Sequence, residues 1–357
     1  MKQDYIVIGA GIIGLATAER LLAQGASVTV LERGKTGAES SWAGGGILSP
    51  LCPWDYPDEV TRLTRYSAAL FPAWVAYLHA ASGIDAEYET SGMLVLPPFD
   101  LQLAQQWCAT HAVTLCQVKA ADYASGISGD ALYLPEVAQV RNPRLLRALH
   151  QRVIMLGGRI IEHCAVTGLI NEQDQVQALG TSCGQFSAHK YIVAAGAWSR
   201  EVLGKHALQL DIKPMCGQML LYKFVVPPLA PIVLQDDLYL IPRRDGYVLI
   251  GSTLEDTGFD KQTTAAARED LLQRAQKILP QLRGMPLAKH WAGLRPGSPA
   301  NIPTIARHPQ LHNLYINSGH FRYGVTMAPA SVEILLNEIK GQPQPIEVAP
   351  YQAGWRS

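Results

Sequence analysis

The glycines at 9, 11 and 14 constrain what this chain can fold into more than any other feature. They follow Tyr5-Ile6-Val7-Ile8, a short continuous apolar run that suits a strand buried on both faces. After them Leu15, Ala18 and Leu22 recur at helical steps, and Gly25 stands where a left-handed cap commonly closes a helix. Ser27-Val28-Thr29-Val30-Leu31 reads as a second strand, with Glu32 behind it. In such a β-α-β unit the first glycine makes the tight turn and the second lets backbone approach a pyrophosphate. The third lets helix and strand pack closely. The helix opening at Ile12-Ile13 supplies amide donors and positive dipole to phosphates, and the Glu32 carboxylate can accept from ribose hydroxyls. Arg33 could hold a 2′-phosphate, but Glu32 would repel one. NAD and FAD share the ADP half, so this unit alone leaves both open.

Length and composition narrow the class. At about 150 residues per domain, 357 residues predict two domains or one large α/β unit. Hydrophobic residues at 48% against charged residues at 17% exclude a disordered chain. Thirty basic and thirty acidic residues cancel, so no nucleic-acid partner is expected. The six cysteines form no C-x-x-C or zinc-ligand pairing, so they are expected reduced and no metal is predicted. Residues 5–18 loosely resemble a secretory signal, but Asp4 and the three glycines oppose export. No later apolar run reaches the roughly 18 residues of a membrane span, so the expectation is a soluble, cytoplasmic protein. His308 and His312 have helical spacing, but Pro309 lies between them, and both read as solvated.

Three further segments bring backbone close to a ligand. Ser40-Ser41-Trp42-Ala43-Gly44-Gly45-Gly46-Ile47 is a small-residue stretch with unusually apolar members for a surface loop. Ala194-Ala195-Gly196-Ala197-Trp198-Ser199 repeats the buried-strand-to-glycine pattern. Ser318-Gly319-His320-Phe321-Arg322-Tyr323-Gly324-Val325-Thr326 leads into a last helix, expected from about Ala328 to Lys340, whose N-terminal dipole would favour a reduced flavin ring. A helix is also expected over Thr264–Leu282, which Pro280 can shorten.

In this order the segments resemble the D-amino acid oxidase superfamily of FAD enzymes, most closely its thiamine-biosynthesis glycine oxidases. The resemblance rests on YIVIGAGIIGLATAERL, SSWAGGGIL, VAAGAWS, LYLIPRRDGYVLIGSTLE, WAGLRPGSPANIPTI and INSGHFRYGVTMAPAS, and spans nearly the whole chain. It implies an α/β fold, a glutathione-reductase-like Rossmann FAD domain interleaved with a substrate domain built on an antiparallel β-sheet. The FAD domain would take residues 1–85, 145–212 and 290–357, and the substrate domain 86–144 and 213–289. FAD would be non-covalent, held by Gly9, Gly11, Ile12, Ile13, Gly14, Glu32 and Arg33. Ser40, Ser41, Gly44, Gly45, Gly46 and Ile47 would join them, with Val166, Gly196, Trp198 and the run His320, Phe321, Arg322, Tyr323, Gly324, Val325 and Thr326. Arg295 matches the carboxylate-binding arginine, Tyr239 the active-site tyrosine and Arg322 a second arginine. Leu254, Ser49 and His320 would line the substrate pocket. The implied reaction is oxidation of glycine, sarcosine or small D-amino acids to imine and 2-oxo acid, with dioxygen reduced to hydrogen peroxide. Iminoglycine would feed thiazole synthesis, and a homo-oligomer is possible. A quinone-reducing D-amino acid dehydrogenase and an FAD tRNA-modifying oxidoreductase remain as alternatives.

Overall fold

The computed structural model describes residues 3–124 and 126–355. The first sheet has six strands, in the order Thr304–Arg307, Leu314–Ser318, Ala188–Val193, Gln3–Ile8, Val28–Leu31 and Arg159–Ile161. All pair in parallel except the Thr304–Arg307 edge, which runs antiparallel to its neighbour. Strand periodicity divides Tyr5–Ile8 between two cores. Val7 joins the helices Ile12–Ala23, Asp58–Ser82, Asn142–Met155 and Gly324–Lys340 on one face. Ile6 and Ile8 face Leu179, Leu203 and Ile316 on the other, where a small three-stranded antiparallel sheet (166–186) covers the strands.

The second sheet has eight strands, in the order Lys289–Gly297, Lys213–Lys223, Tyr247–Gly251, Leu238–Pro242, Ile232–Gln235, Met93–Leu96, Asp130–Leu134 and Cys116–Lys119. It is antiparallel apart from the Ile232–Gln235/Met93–Leu96 pair. One face carries the helix Ala265–Ile278; the other presents Met219, Tyr239 and Ile241. The strand bearing Arg295 spans 289–297, so the expected domain boundary at 290 falls inside it, and the helix Asn142–Met155 likewise crosses the one at 145.

Local differences have local causes. The helix expected to reach Leu282 ends at Ile278, because Leu279 is extended before Pro280, and a 3-10 turn follows. The last helix starts at Gly324, ahead of the expected Ala328, and carries Pro329 within its span. His308 is fully buried, contrary to the solvated reading. Its Nδ1 accepts from Gln310 N and Leu311 N, and its Nε2 bonds the His206 carbonyl at 2.9 Å, so it caps the turn before Leu314. Burial lowers its pKa. His312 is exposed and faces Asp174. Among the described residues no helix is long and apolar enough to cross a membrane.

Candidate functional site

The glycine turn is built as its spacing demands. Gly9 has φ +104°, and a side chain there would strike the Ala194 carbonyl. At Gly14 a Cβ would collide with Gly9 O, so this glycine sets helix–strand packing and does not line the channel. A Cβ at Gly11 would meet the Ser41 hydroxyl alone, at 3.0 Å, and Gly11 lines the channel. That hydroxyl accepts from Ile12 N at 2.9 Å, at the helix N-terminus. The Glu32 carboxylate accepts from Ala10 N and Gly34 N, both at 2.8 Å, which holds it at the strand end. Arg33 lies over the Trp198 ring, 3.5 Å from its centre, and pairs with Glu39.

From this end one channel runs between the two sheets. Every residue named above for cofactor or substrate lines it, except Gly14 and Leu254. The 40–47 segment opens as the short helix Ser40–Ala43 and is then pinned from two sides. Asn142 Nδ2 donates to Gly44 O at 3.0 Å, and the buried Arg243 donates to Gly45 O at 2.6 Å. Gly46 has φ +76°, and a side chain there would strike Val140 O. Thr326 Oγ1 donates to Ile47 O, tying the start of the last helix to the same wall.

The far end is cationic. Arg295 reaches across its sheet to the carbonyls of Cys216 and Thr253 and to Ser252 Oγ. Desolvation lowers its pKa, Tyr239 opposes that, and Arg322 adds to it; an arginine nonetheless stays charged. Among the described residues no carboxylate pairs with Arg295 or Arg322, whereas Arg33, Lys213 and Lys261 each meet an acid. Tyr239 is buried, with its hydroxyl 3.9 Å from Met219 Sδ. Ser49 and Leu51 form part of the rim, and Tyr323 packs edge-on against Tyr56. Burial pushes the Tyr323 phenol well above its usual range and holds His320 at about 3, so both are neutral.

Leu254 is a correction. It is 43% exposed and outside the channel, because the chain leaves its ladder after Gly251 and turns Ser252 and the Thr253 carbonyl to Arg295 instead. Gly217, Met219, Ser252, Asn142 and Asn317 line the channel without having been foreseen. Only Asn142, before Pro143 at a helix start, carried a local signal.

An FAD-like group fits these walls. Three buried polar atoms along the channel, Asn142 Oδ1, Asn317 Oδ1 and His320 Nε2, lack a protein partner, which a folded chain rarely tolerates without a ligand or water. The helix N-terminus at Ile12 and the Glu32 carboxylate suit phosphates and a ribose, respectively.

The model of a family described as FAD dependent oxidoreductase matches residues 4–337. A glycine oxidase of Pseudomonas aeruginosa is 42% identical, with all of both chains covered. One from Pseudomonas putida is 40% identical over 98% of each. The crystal structure of glycine oxidase from Geobacillus kaustophilus superposes with a TM-score of 0.93, covering 98% of this chain and 97% of that one at 24% identity, a likeness of fold.

Proposed function

This chain belongs to the FAD dependent oxidoreductase family, and on that premise we propose that it oxidises glycine and small amines such as sarcosine. The observation that carries the proposal is the pair of guanidiniums, Arg295 and Arg322, uncompensated at the end of the channel opposite the phosphate cradle. Such a pair needs an anion, and a guanidinium fork suits a carboxylate. Bound FAD supplies the two-electron oxidation of the amine-bearing carbon.

The protein's part is binding and orientation. Arg295, steadied by Ser252 and the Thr253 carbonyl, takes the carboxylate, and the Tyr239 hydroxyl adds a donor on the same side. Met219, Leu51 and Tyr239 close the space beside it, which favours substrates with no side chain or a small one. Two nearby cations disfavour an ammonium, so the amine binds as the neutral base and no side chain need take a proton. Neutral His320 lines the channel and keeps a buried Nε2 without a protein partner, which suits a contact with the cofactor.

The same reading makes dioxygen the acceptor, hydrogen peroxide a product, and the imine a supply for thiazole synthesis. It places the enzyme in the cytoplasm. It divides the chain into a dinucleotide-binding part over 1–85, 145–212 and 290–357 and a substrate part over 86–144 and 213–289.

Peroxide release, measured over a panel of glycine, sarcosine, D-amino acids and amines without a carboxylate, tests the proposal. Glycine and sarcosine should lead, and Arg295→Ala should erase their advantage over plain amines. Reduced flavin that survives in air for minutes but is reoxidised at once by a quinone would overturn the oxidase reading.

A further inference from the structure

Cys164 and Cys183 lie outside the proposed chemistry yet beside the channel. Cys164 is buried, and it lines the channel together with Ala165 and Val166; Cys183 is exposed. They sit where the strands Val166–Glu172 and Gln175–Thr181 meet at their open end. The ladder pairs Val166 with Thr181, and Ser182 N donates to Ala165 O at 2.9 Å. Cys183 follows in the Ser182-Cys183 turn that joins Gln175–Thr181 to Gly184–Phe186, and this turn lies against the 163–165 backbone.

Side chains confirm the convergence. Thr181 Oγ1 accepts from Cys164 Sγ at 3.3 Å and from Cys183 N at 3.0 Å, while Cys183 Sγ points at the His163 carbonyl, 3.7 Å away. Burial raises the pKa of the Cys164 thiol, Thr181 lowers it, and the neighbouring Cys183 thiol raises it again.

The geometry points to a reversible disulfide between Cys164 and Cys183, formed by a hydroperoxide, that staples the channel wall at its Glu32 end. The exposed Cys183 reacts first: its sulfur takes one peroxide oxygen to become a sulfenic acid, and the O–O bond breaks with release of water. Cys164 sulfur then displaces that oxygen as a second water, and the S–S bond forms. Two thiols are oxidised by two electrons, and one hydrogen peroxide is reduced to two waters. The bridge fixes the 163–166 turn, whose Cys164 N donates to Glu32 O at 2.8 Å. The proposed reaction would release this oxidant, but the pairing does not depend on that source, and its failure would leave the reaction untouched.

Treating purified flavin-loaded protein with added hydrogen peroxide, followed by intact mass and non-reducing peptide mapping, tests the pairing. The expected result is loss of two hydrogens, a linked peptide joining residues 164 and 183, and reversal by dithiothreitol. Cys183→Ser should show no link, with Cys164 still a thiol. Flavin should leave the oxidised protein more slowly than the reduced one on dilution. Cys183 recovered as sulfinic acid beside free Cys164, or neither residue oxidised, would overturn the bridge; equal flavin release would overturn the staple.

Discussion

Replacing Gly217 with alanine should disable the carboxylate anchor without touching the cofactor. Gly217 lies in the strand Lys213–Lys223, opposite Gly293 of the strand that carries Arg295. A Cβ at 217 would overlap Nη1, Nη2 and Cζ of Arg295. The obstacle is the tip of a flexible side chain, so the backbone can stay while the guanidinium swings off Cys216 O, Thr253 O and Ser252 Oγ. A displaced fork no longer meets a carboxylate squarely. Hydrogen bonds to charged groups contribute about 1.5–3 kcal/mol each, so a loss of about 2–3 kcal/mol is expected, roughly 30- to 160-fold in kcat/KM for glycine. Flavin content and Tm should match the parent, and an amine lacking a carboxylate should lose little. Steady-state peroxide assays beside flavin absorbance and thermal melts make the comparison. Full activity toward glycine would refute the reasoning, and so would an activity loss matched by lost flavin or a lowered Tm.

Gly11→Val should give a folded but colourless protein, since only Ser41 Oγ lies near the added atoms while the side chain fills the phosphates' approach; normal flavin content would contradict it. Arg243→Met removes bonds to Gln139 Oε1, Val140 O and Gly45 O from a buried guanidinium whose pKa burial pushes down to about 10. Stability to urea should fall by about 2–4 kcal/mol, with weaker flavin retention, and an unchanged midpoint would count against that network. His320 is held at about 3 when folded, against 6.5 ordinarily. Between those values the unfolded chain binds a proton that the folded chain refuses, so this contribution is complete above about 6.5 and is lost as pH falls toward 3. His320→Gln apoprotein should therefore lose less Tm than the parent between about pH 7 and pH 4.5, and parallel curves would exclude the effect.

The first β-α-β unit was legible because its information is local: an apolar run, a glycine turn, a helical period and a second run. The gathering of 40–47, 194–198 and 318–326 around one channel was legible only through resemblance, since nothing in their spacing says that three distant segments meet. Gly217 and Ser252 were silent for a related reason. Each matters through Arg295, and that contact exists only once Lys213–Lys223 has paired with Lys289–Gly297. Leu254 was assigned to the pocket by resemblance alone, and nothing in its own residues showed that the strand stops at Gly251 and carries it outward. Pro309 between His308 and His312 argues only against a shared helix face; His308 is buried because its two ring nitrogens are satisfied by backbone.

The strand order of the first sheet has a consequence for how the protein is made. Gln3–Ile8 leaves the ribosome first, yet one of its flanking strands, Ala188–Val193, is synthesised only after the middle of the chain, and the next, Leu314–Ser318, near the end. The phosphate turn therefore emerges long before the walls that enclose it. Arg295 and Arg322, supplied by late segments, arrive after most of the second sheet has been translated. The channel is therefore complete only once the segments through Thr326 have been synthesised. A stop codon after Arg307 would remove an inner strand of the sheet, not a dispensable tail, and the nascent protein would have nothing with which to close.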